Sequence, residues 1–256
     1  MPHKQDNKLF LSELRASIKF SVKALGGREY LCLKGSKHKV AFPVLNKDFA
    51  FFLGLLWGDG WVTGRRNSLR YGHWRIGLVE DDELIISTFD SLVRKVFSVK
   101  PNVHHRVGKH EIYFNSRVVY EILTRIFGFP DGEKAGRLRM PKVVRGSEIL
   151  TAAFLQGIFS TDGKFVVHEG YPRIGLDSAT KEFLDDIELA LKQLGFKPRR
   201  SVWRRRQGNP LFSVYLNGIR QTRLFQNKIG FIGSKRQILE RYLHSVARSS
   251  PVEAKI

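Results

Sequence analysis

Two stretches of this chain are apolar enough to sit in a protein interior, "FLGLLWGDGW" (Phe52 to Trp61) and "FLQGIFSTDGKF" (Phe154 to Phe165). Each predicts a short buried helix, far too short to cross a bilayer, that ends on an aspartate and a glycine. Behind each helix the rhythm changes. "WVTGRRNSLRYGHWRIGLV" and "KFVVHEGYPRIGLD" are strand-like and broken by turn residues. Amphipathic helices follow in "DDELIISTFDSLVRKVF" and "SATKEFLDDIELALKQLG", with acids in the first turn and basic residues toward the end. Ser178 is the expected N-cap of the second, and Gly195 its stop. Two more strands are predicted in "NVHHRVGKHEIYFN" and "RSVWRRRQGNPLFSVYLN", turning at Gly108 and at Gly208-Asn209. "RVVYEILTRIFG" and "IRQTRLFQNKIG" then close each unit as helices. The pattern is αββαββα, written twice.

The two writings align residue by residue. Asp59 falls on Asp162, "SVKP" on "GFKP", Phe114-Asn115 on Leu216-Asn217, and "FGF" on "IGF", in constant order and about one hundred residues apart. A tandem duplication accounts for all of them. It divides the chain into an extension over 1–46, a first repeat over 47–146 and a second over 147–256. In the extension, "LFLSELRASIKF" predicts a helix and "LCLKGSKHKVAFPVL" an extended segment, with a supporting or DNA-contacting role.

An aspartate after each apolar helix needs a reason. Gly54 and Gly58 lie four apart on one helical face, as do Gly157 and Thr161. Small residues at that spacing let two helix backbones touch. Helices paired along these faces bring Asp59 and Asp162 together, with Gly60 and Gly163 expected to stop each helix in a left-handed conformation. Two carboxylates at the negative ends of two helix dipoles repel each other. A divalent cation of the magnesium or calcium type reverses that balance, since both take hard oxygen ligands.

Composition sharpens the picture through charge. The 256 residues carry 44 Lys and Arg against 24 Asp and Glu, a net +20 that favours a polyanionic partner. Nucleic acid comes first, because no basic amphipathic helix points to a membrane. The start of the chain, "MPHKQDNKLF", lacks an apolar signal segment. A single cysteine, Cys32, excludes an internal disulfide and a multi-cysteine metal site. These features set the expectation of an intracellular protein, cytoplasmic or organellar.

"FLGLLWGDG" and "FLQGIFSTDG", at this spacing and followed by strands, resemble the two signature helices of a single-chain LAGLIDADG homing endonuclease, over about residues 47–245. The resemblance implies an α+β fold of tandem αββαββα repeats with pseudo-twofold symmetry, whose two antiparallel sheets form a DNA-binding saddle. It implies a monomer that cuts both strands of a long asymmetric site, leaving short 3′ overhangs. Asp59 and Asp162 would hold the catalytic metals with the carbonyls of Gly58 and Thr161. The metal would be Mg2+, with Mn2+ or Ca2+ as substitutes. Lys134 in "DGEKAG" and Lys235 in "IGSKRQ" resemble the family's basic catalytic position. Two departures stand out. The earlier acidic position of each motif is Trp57 or Ser160, and the Gln or Lys common at the end of the second strand is replaced by "LVEDDE" and "LDSATK". The same fold also serves RNA-binding splicing cofactors and DNA-binding proteins without catalysis, so intron RNA is an alternative partner. The chain ends carry no Cys or Ser at the start and no His-Asn at the close, which favours an intron-encoded protein over an intein.

A β-ribbon fits the major groove and presents alternate side chains to base edges. In the first repeat the candidates are Arg65, Arg66, Arg70, His73, Arg75, Arg106 and Lys109. The second repeat offers Arg173, Arg199, Arg200, Arg204, Arg205, Arg206 and Gln207. Adjacent arginines on a strand face opposite ways, so part of the set serves phosphates. Trp74 and Trp203 are expected in the core or in strand packing rather than as stacking platforms.

Overall fold

The computed structural model describes residues 14–15, 18–34, 39–65, 73–203 and 210–249. A small antiparallel sheet comes first, β1 (Phe20–Leu25), β2 (Arg28–Leu33) and β3 (Lys39–Ala41). The first repeat runs α1 (Lys47–Trp57), β4 (Gly60–Arg65), β5 (His73–Glu80), α2 (Glu83–Phe97), β6 (Asn102–Arg106), β7 (Lys109–Asn115) and α3 (Arg117–Glu121), which continues as a π turn over Ile122–Ile126. The second runs α4 (Glu148–Thr161), β8 (Gly163–His168), β9 (Tyr171–Ser178), α5 (Lys181–Gln193), β10 (Arg199–Trp203), β11 (Leu211–Asn217) and α6 (Ile219–Lys228). A last helix, α7 (Gly233–Ser249), extends the second repeat beyond the expected pattern.

Each repeat folds its strands into one four-stranded antiparallel sheet of the same order, β4-β5-β7-β6 and β8-β9-β11-β10. Their registers correspond. Gly60 pairs with Leu78 as Gly163 pairs with Leu176, and Arg75 pairs with Asn115 as Arg173 pairs with Asn217. The duplication therefore holds at the level of individual backbone pairs.

Local chemistry explains the boundaries. Asn46 caps α1 by accepting from the Phe49 amide at 3.0 Å, and Ser147 does the same for α4 through Leu150 at 3.5 Å. The β6–β7 hairpin turns at Gly108 (φ +73°), and α5 stops before Gly195 (φ +86°). The apolar runs are buried as their composition requires, with Phe49, Phe52, Leu53, Leu55, Leu56, Trp57, Phe154, Leu155, Ile158 and Phe159 all within 1% of zero exposure. Trp57 joins the two halves of the core, packing edge-on against Phe129 and Phe154. Among the described residues no helix is long and apolar enough to cross a membrane.

Four expectations need correction. Gly60 and Gly163 do not stop their helices with a positive φ; they open strands β4 and β8. Glycine is needed there for closeness, since an added Cβ would stand 2.6 Å from the Leu56 Cα or 2.7 Å from the Phe159 Cα. Ser178 ends β9 rather than capping α5; its hydroxyl accepts from the Thr180 amide at 3.1 Å, and Thr180 is the cap position. The helix expected through Phe20 gives way there to β1. Trp203 is 66% exposed on β10, not packed within the sheet.

Candidate metal and nucleic-acid site

Helices α1 and α4 lie against each other along their small residues. A Cβ on Gly157 would sit 2.5 Å from the Leu55 nitrogen and 2.7 Å from the Gly54 Cα, so no side chain fits between the backbones. Gly54 is closed off in the same way by the Phe154 carbonyl, and Gly58 by the Thr161 hydroxyl. That hydroxyl turns back to donate to the Gly157 and Ile158 carbonyls, 3.1 Å each. Both helices end at this contact, which brings Asp59 and Asp162 close enough for each to act on the other's charge.

The two acids shape one another's proton affinity. Asp162 is raised to about 7, first by the crowding that strips water from it and then by the charge of Asp59, with Lys134 and Lys235 pulling the other way. The residue nonetheless keeps an exposed surface. Glu80, at the end of β5, is raised to about 8 by burial and by hydrogen bonds with Asp81 and Asp59. Sequence reasoning missed Glu80. The available signal was the run "EDDE" in a strongly basic chain, which the duplication lays over Ser178 to Lys181.

Two lysines enter the site by equivalent routes. The Lys134 ammonium donates to the carbonyls of Trp57, at 3.4 Å, and Gly58. The Lys235 ammonium donates to those of Ser160, at 2.8 Å, and Thr161. Each therefore caps the negative end of one motif helix. Burial lowers the proton affinity of both lysines against the pull of the surrounding acids. The residues at the two non-acidic motif positions help to hold these lysine segments. The Trp57 indole donates to the Arg139 carbonyl at 2.8 Å, and the Ser160 hydroxyl accepts from the Ile232 amide at 3.0 Å.

The donor set suits a hard divalent cation. Two carboxylates press together beside two backbone carbonyls, Gly58 and Thr161, that already receive ammonium groups. Among the described residues no three His, Cys, Asp or Glu side chains are grouped so as to hold a metal ion by themselves.

The basic strand residues divide by face. His73, Arg75, Lys109, Arg173 and Arg199 are exposed on their strands. Arg75 lies 5.3 Å over the Tyr113 ring, and its counterpart Arg173 lies 4.6 Å over Tyr215, with its Nε donating to Asn217 at 3.0 Å. Arg200 departs from the expectation: it faces helix α5 and pairs with Asp185 at 2.7 Å. Alternation along β10 dictates this, because Arg199 already takes the open face. Arg65 and Arg106 sit at strand ends opposite His73 and Lys109. Arg66, Arg70, Arg204, Arg205, Arg206, Gln207 and the Gly208-Asn209 turn lie outside the described residues.

Fold and site together define a two-repeat α+β protein built around a pair of abutting, acid-tipped helices. Residues 150–230 match the family model described as a LAGLIDADG-like domain. The solved structure of I-DmoI in complex with DNA and Ca is 16% identical and covers 77% of this chain and 98% of its own, with a TM-score of 0.56. That of the I-LtrWI LAGLIDADG homing endonuclease bound to target DNA is 13% identical, covers 80% and 92%, and scores 0.54. Among curated proteins, the probable translation initiation factor IF-2 of Thermococcus kodakarensis is 24% identical over 206 residues, which is 78% of this chain and 16% of the relative. Elongation factor 2 of Methanopyrus kandleri is 24% identical over 208 residues, 81% of this chain and 15% of the relative. The chain thus spans only a small part of either factor. It has the fold of the LAGLIDADG homing endonucleases with two motifs on one polypeptide, and its second repeat carries the LAGLIDADG-like domain.

Proposed function

We propose that this chain is a divalent-metal-dependent endonuclease that acts as a monomer and cuts both strands of duplex DNA at a long, asymmetric site. The meeting of Asp59 and Asp162 where α1 and α4 end carries the reading. Asp59 and Asp162, with the Gly58 and Thr161 carbonyls, would hold magnesium, with manganese or calcium as substitutes. A bound divalent ion would supply Lewis acidity at the phosphodiester and lower the pKa of water. Lys134 and Lys235, with proton affinity weakened by burial, are suited to donate a hydrogen bond or a proton to a phosphate oxygen. The open sheet faces would take the duplex, with Arg75, Arg173, Arg199, His73 and Lys109 on base edges and phosphates. The natural target would be the DNA that flanks the reading frame on either side, rejoined without it.

Cleavage of a randomised duplex library in magnesium tests the proposal. The native chain should enrich one family of targets cut on both strands, and Asp59→Asn and Asp162→Asn should not. A native chain that binds duplex but cuts none of it with any divalent metal would leave only a DNA-binding role.

A further inference from the structure

The lysines are held by their own repeat through the motif carbonyls, but each lysine segment is also gripped from the other side. Asp82 follows β5 and caps α2, its Oδ1 accepting from the Leu84 amide at 2.9 Å. Its Oδ2 accepts from the Ser234 amide at 2.6 Å, next to Lys235 and in the first turn of α7. The fit is tight: Gly233 takes φ +69°, and a Cβ there would stand 2.7 Å from the Asp82 Cγ. Thr180 occupies the equivalent place after β9, at the cap of α5. Its hydroxyl oxygen accepts from the Gly136 amide at 2.9 Å, two residues beyond Lys134.

From these crossed contacts we infer that Asp82 and Thr180 are positioning residues, each fixing the catalytic lysine contributed by the opposite repeat. The first repeat holds Lys235 through Asp82, and the second holds Lys134 through Thr180. The two pins differ in kind. Asp82 brings a carboxylate to a helix N-terminus, where negative charge is favoured. Partial burial pushes its carboxyl up, yet the hydrogen bonds from Ser234 and Leu84 hold it below the usual range. Thr180 is a buried neutral hydroxyl on a loop amide. Lys235 is consequently the more firmly held of the two, which makes the two half-sites unequal. Their part in cleavage rests on the nuclease reading above; the pinning itself does not.

Amine labelling of the metal-free protein with acetic anhydride, read by mass spectrometry, tests the pins without any target. Asp82→Ala should raise the labelling of Lys235 several-fold and leave Lys134 at its native rate. Thr180→Val should do the reverse. Because Asp82→Ala also strips the α2 cap, Ser234→Pro provides the separate case. It removes the amide and the hydroxyl that Ser234 offers to Asp82 and leaves the α2 cap in place, at a position in the first helical turn where proline is tolerated. Asp82→Asn keeps an acceptor and should label like the native chain. Equal rises at both lysines, or none, would overturn the inference. On a duplex selected by the native chain's own cleavage, Asp82→Ala and Ser234→Pro should slow one strand and Thr180→Val the other. If the labelling shifts as stated while the native chain cuts nothing, the positioning stands and the nuclease reading falls. If the native chain cuts but each variant slows both strands alike, the positioning role in cleavage falls instead.

Discussion

Helix α1 closes at Trp57 and leads into Gly58 and Asp59; helix α4 closes at Ser160 and Thr161 and leads into Asp162. Only the aspartate is common to both. At the next position back, one helix has no side chain and the other fills the space, so that Gly58 receives the Thr161 hydroxyl. Two positions back, Trp57 reaches into the partner repeat's core while Ser160 accepts a hydrogen bond from its own repeat. A symmetric homodimer must present the same residue on both sides of such a contact. Duplication within one chain lifts that restriction and lets a knob face a hole. The backbone has kept its symmetry because the sheets need it, and the side chains around the acids have given it up.

The shared aspartates should show the largest effect. Asp59→Asn and Asp162→Asn are each expected to lower cleavage about a thousand-fold, since several kcal/mol of charge stabilisation at about 1.4 kcal/mol per tenfold is lost. Strand-resolved nicking is the measurement. A variant that cut both strands at the native rate would remove the equivalence of the two acids and the metal proposal with it.

The knob and hole come next. Gly58→Thr places a side chain where the Thr161 hydroxyl already stands, and overpacking of this kind costs about 1–3 kcal/mol. Adding Thr161→Gly moves the knob to the other helix and should restore part of the lost melting temperature. If the double variant melted no higher than Gly58→Thr, the contact would not be the complementary one described.

Acidity around the site gives a smaller, pH-dependent effect. Asp162, raised from 3.8 to about 7, and Glu80, raised from 4.5 to about 8, keep protons in the folded chain that the unfolded chain releases. Stability therefore falls as pH rises between those limits. Asp82, Asp177 and Asp185 are held low, so they act below that window, where stability is lost as pH falls. Lys134 and Lys235, lowered by burial, act in the opposite sense below the ordinary lysine range, where deprotonation relieves their penalty as pH rises. The metal-free protein should thus lose a few degrees of melting temperature from pH 5 to pH 8, at about 2–4 °C per kcal/mol for a chain of this size. The exposure of Asp162 to solvent keeps the change modest. Glu80→Gln removes the acid that has no counterpart at Ser178 and should flatten the decline, and magnesium at pH 8 should offset it. A flat profile in the native chain would show that the carboxylates do not feel one another.

Much of this architecture was legible because it is periodic. The apolar runs, the strand alternation and the one-hundred-residue echo follow from hydrophobic patterning, which backbone geometry enforces directly. What the pattern concealed were contacts between segments far apart in the chain. Nothing local in "LVEDDE" separates Glu80, turned toward Asp59, from Asp82, bonded to Ser234. Likewise Ser178 and Thr180 are equally good caps on paper, and the strand that runs on through Ser178 decides between them. Arg199 and Arg200 have identical chemistry, and only the pleat separates the open face from the ion pair with Asp185.

The smallest expected effect concerns how the open faces hold their arginines. Arg75 and Arg173 are equivalent by register, and each lies over a tyrosine of the neighbouring strand, Tyr113 or Tyr215. Arg173 also donates to Asn217, which limits the orientations its guanidinium can take in the free chain. Ordering a long side chain on binding costs about 0.5–1.5 kcal/mol, so an arginine already ordered loses less. Arg173→Ala should weaken duplex binding and, if the contact is to phosphate, reduce the salt slope by about 0.9. Asn217→Ala should weaken binding by a fraction of that through Arg173 alone, and should add nothing once Arg173 is alanine. A double-mutant cycle on duplex affinity reads this coupling. Additive losses would mean that Asn217 meets the DNA by itself, and that the arginine needs no help in facing it.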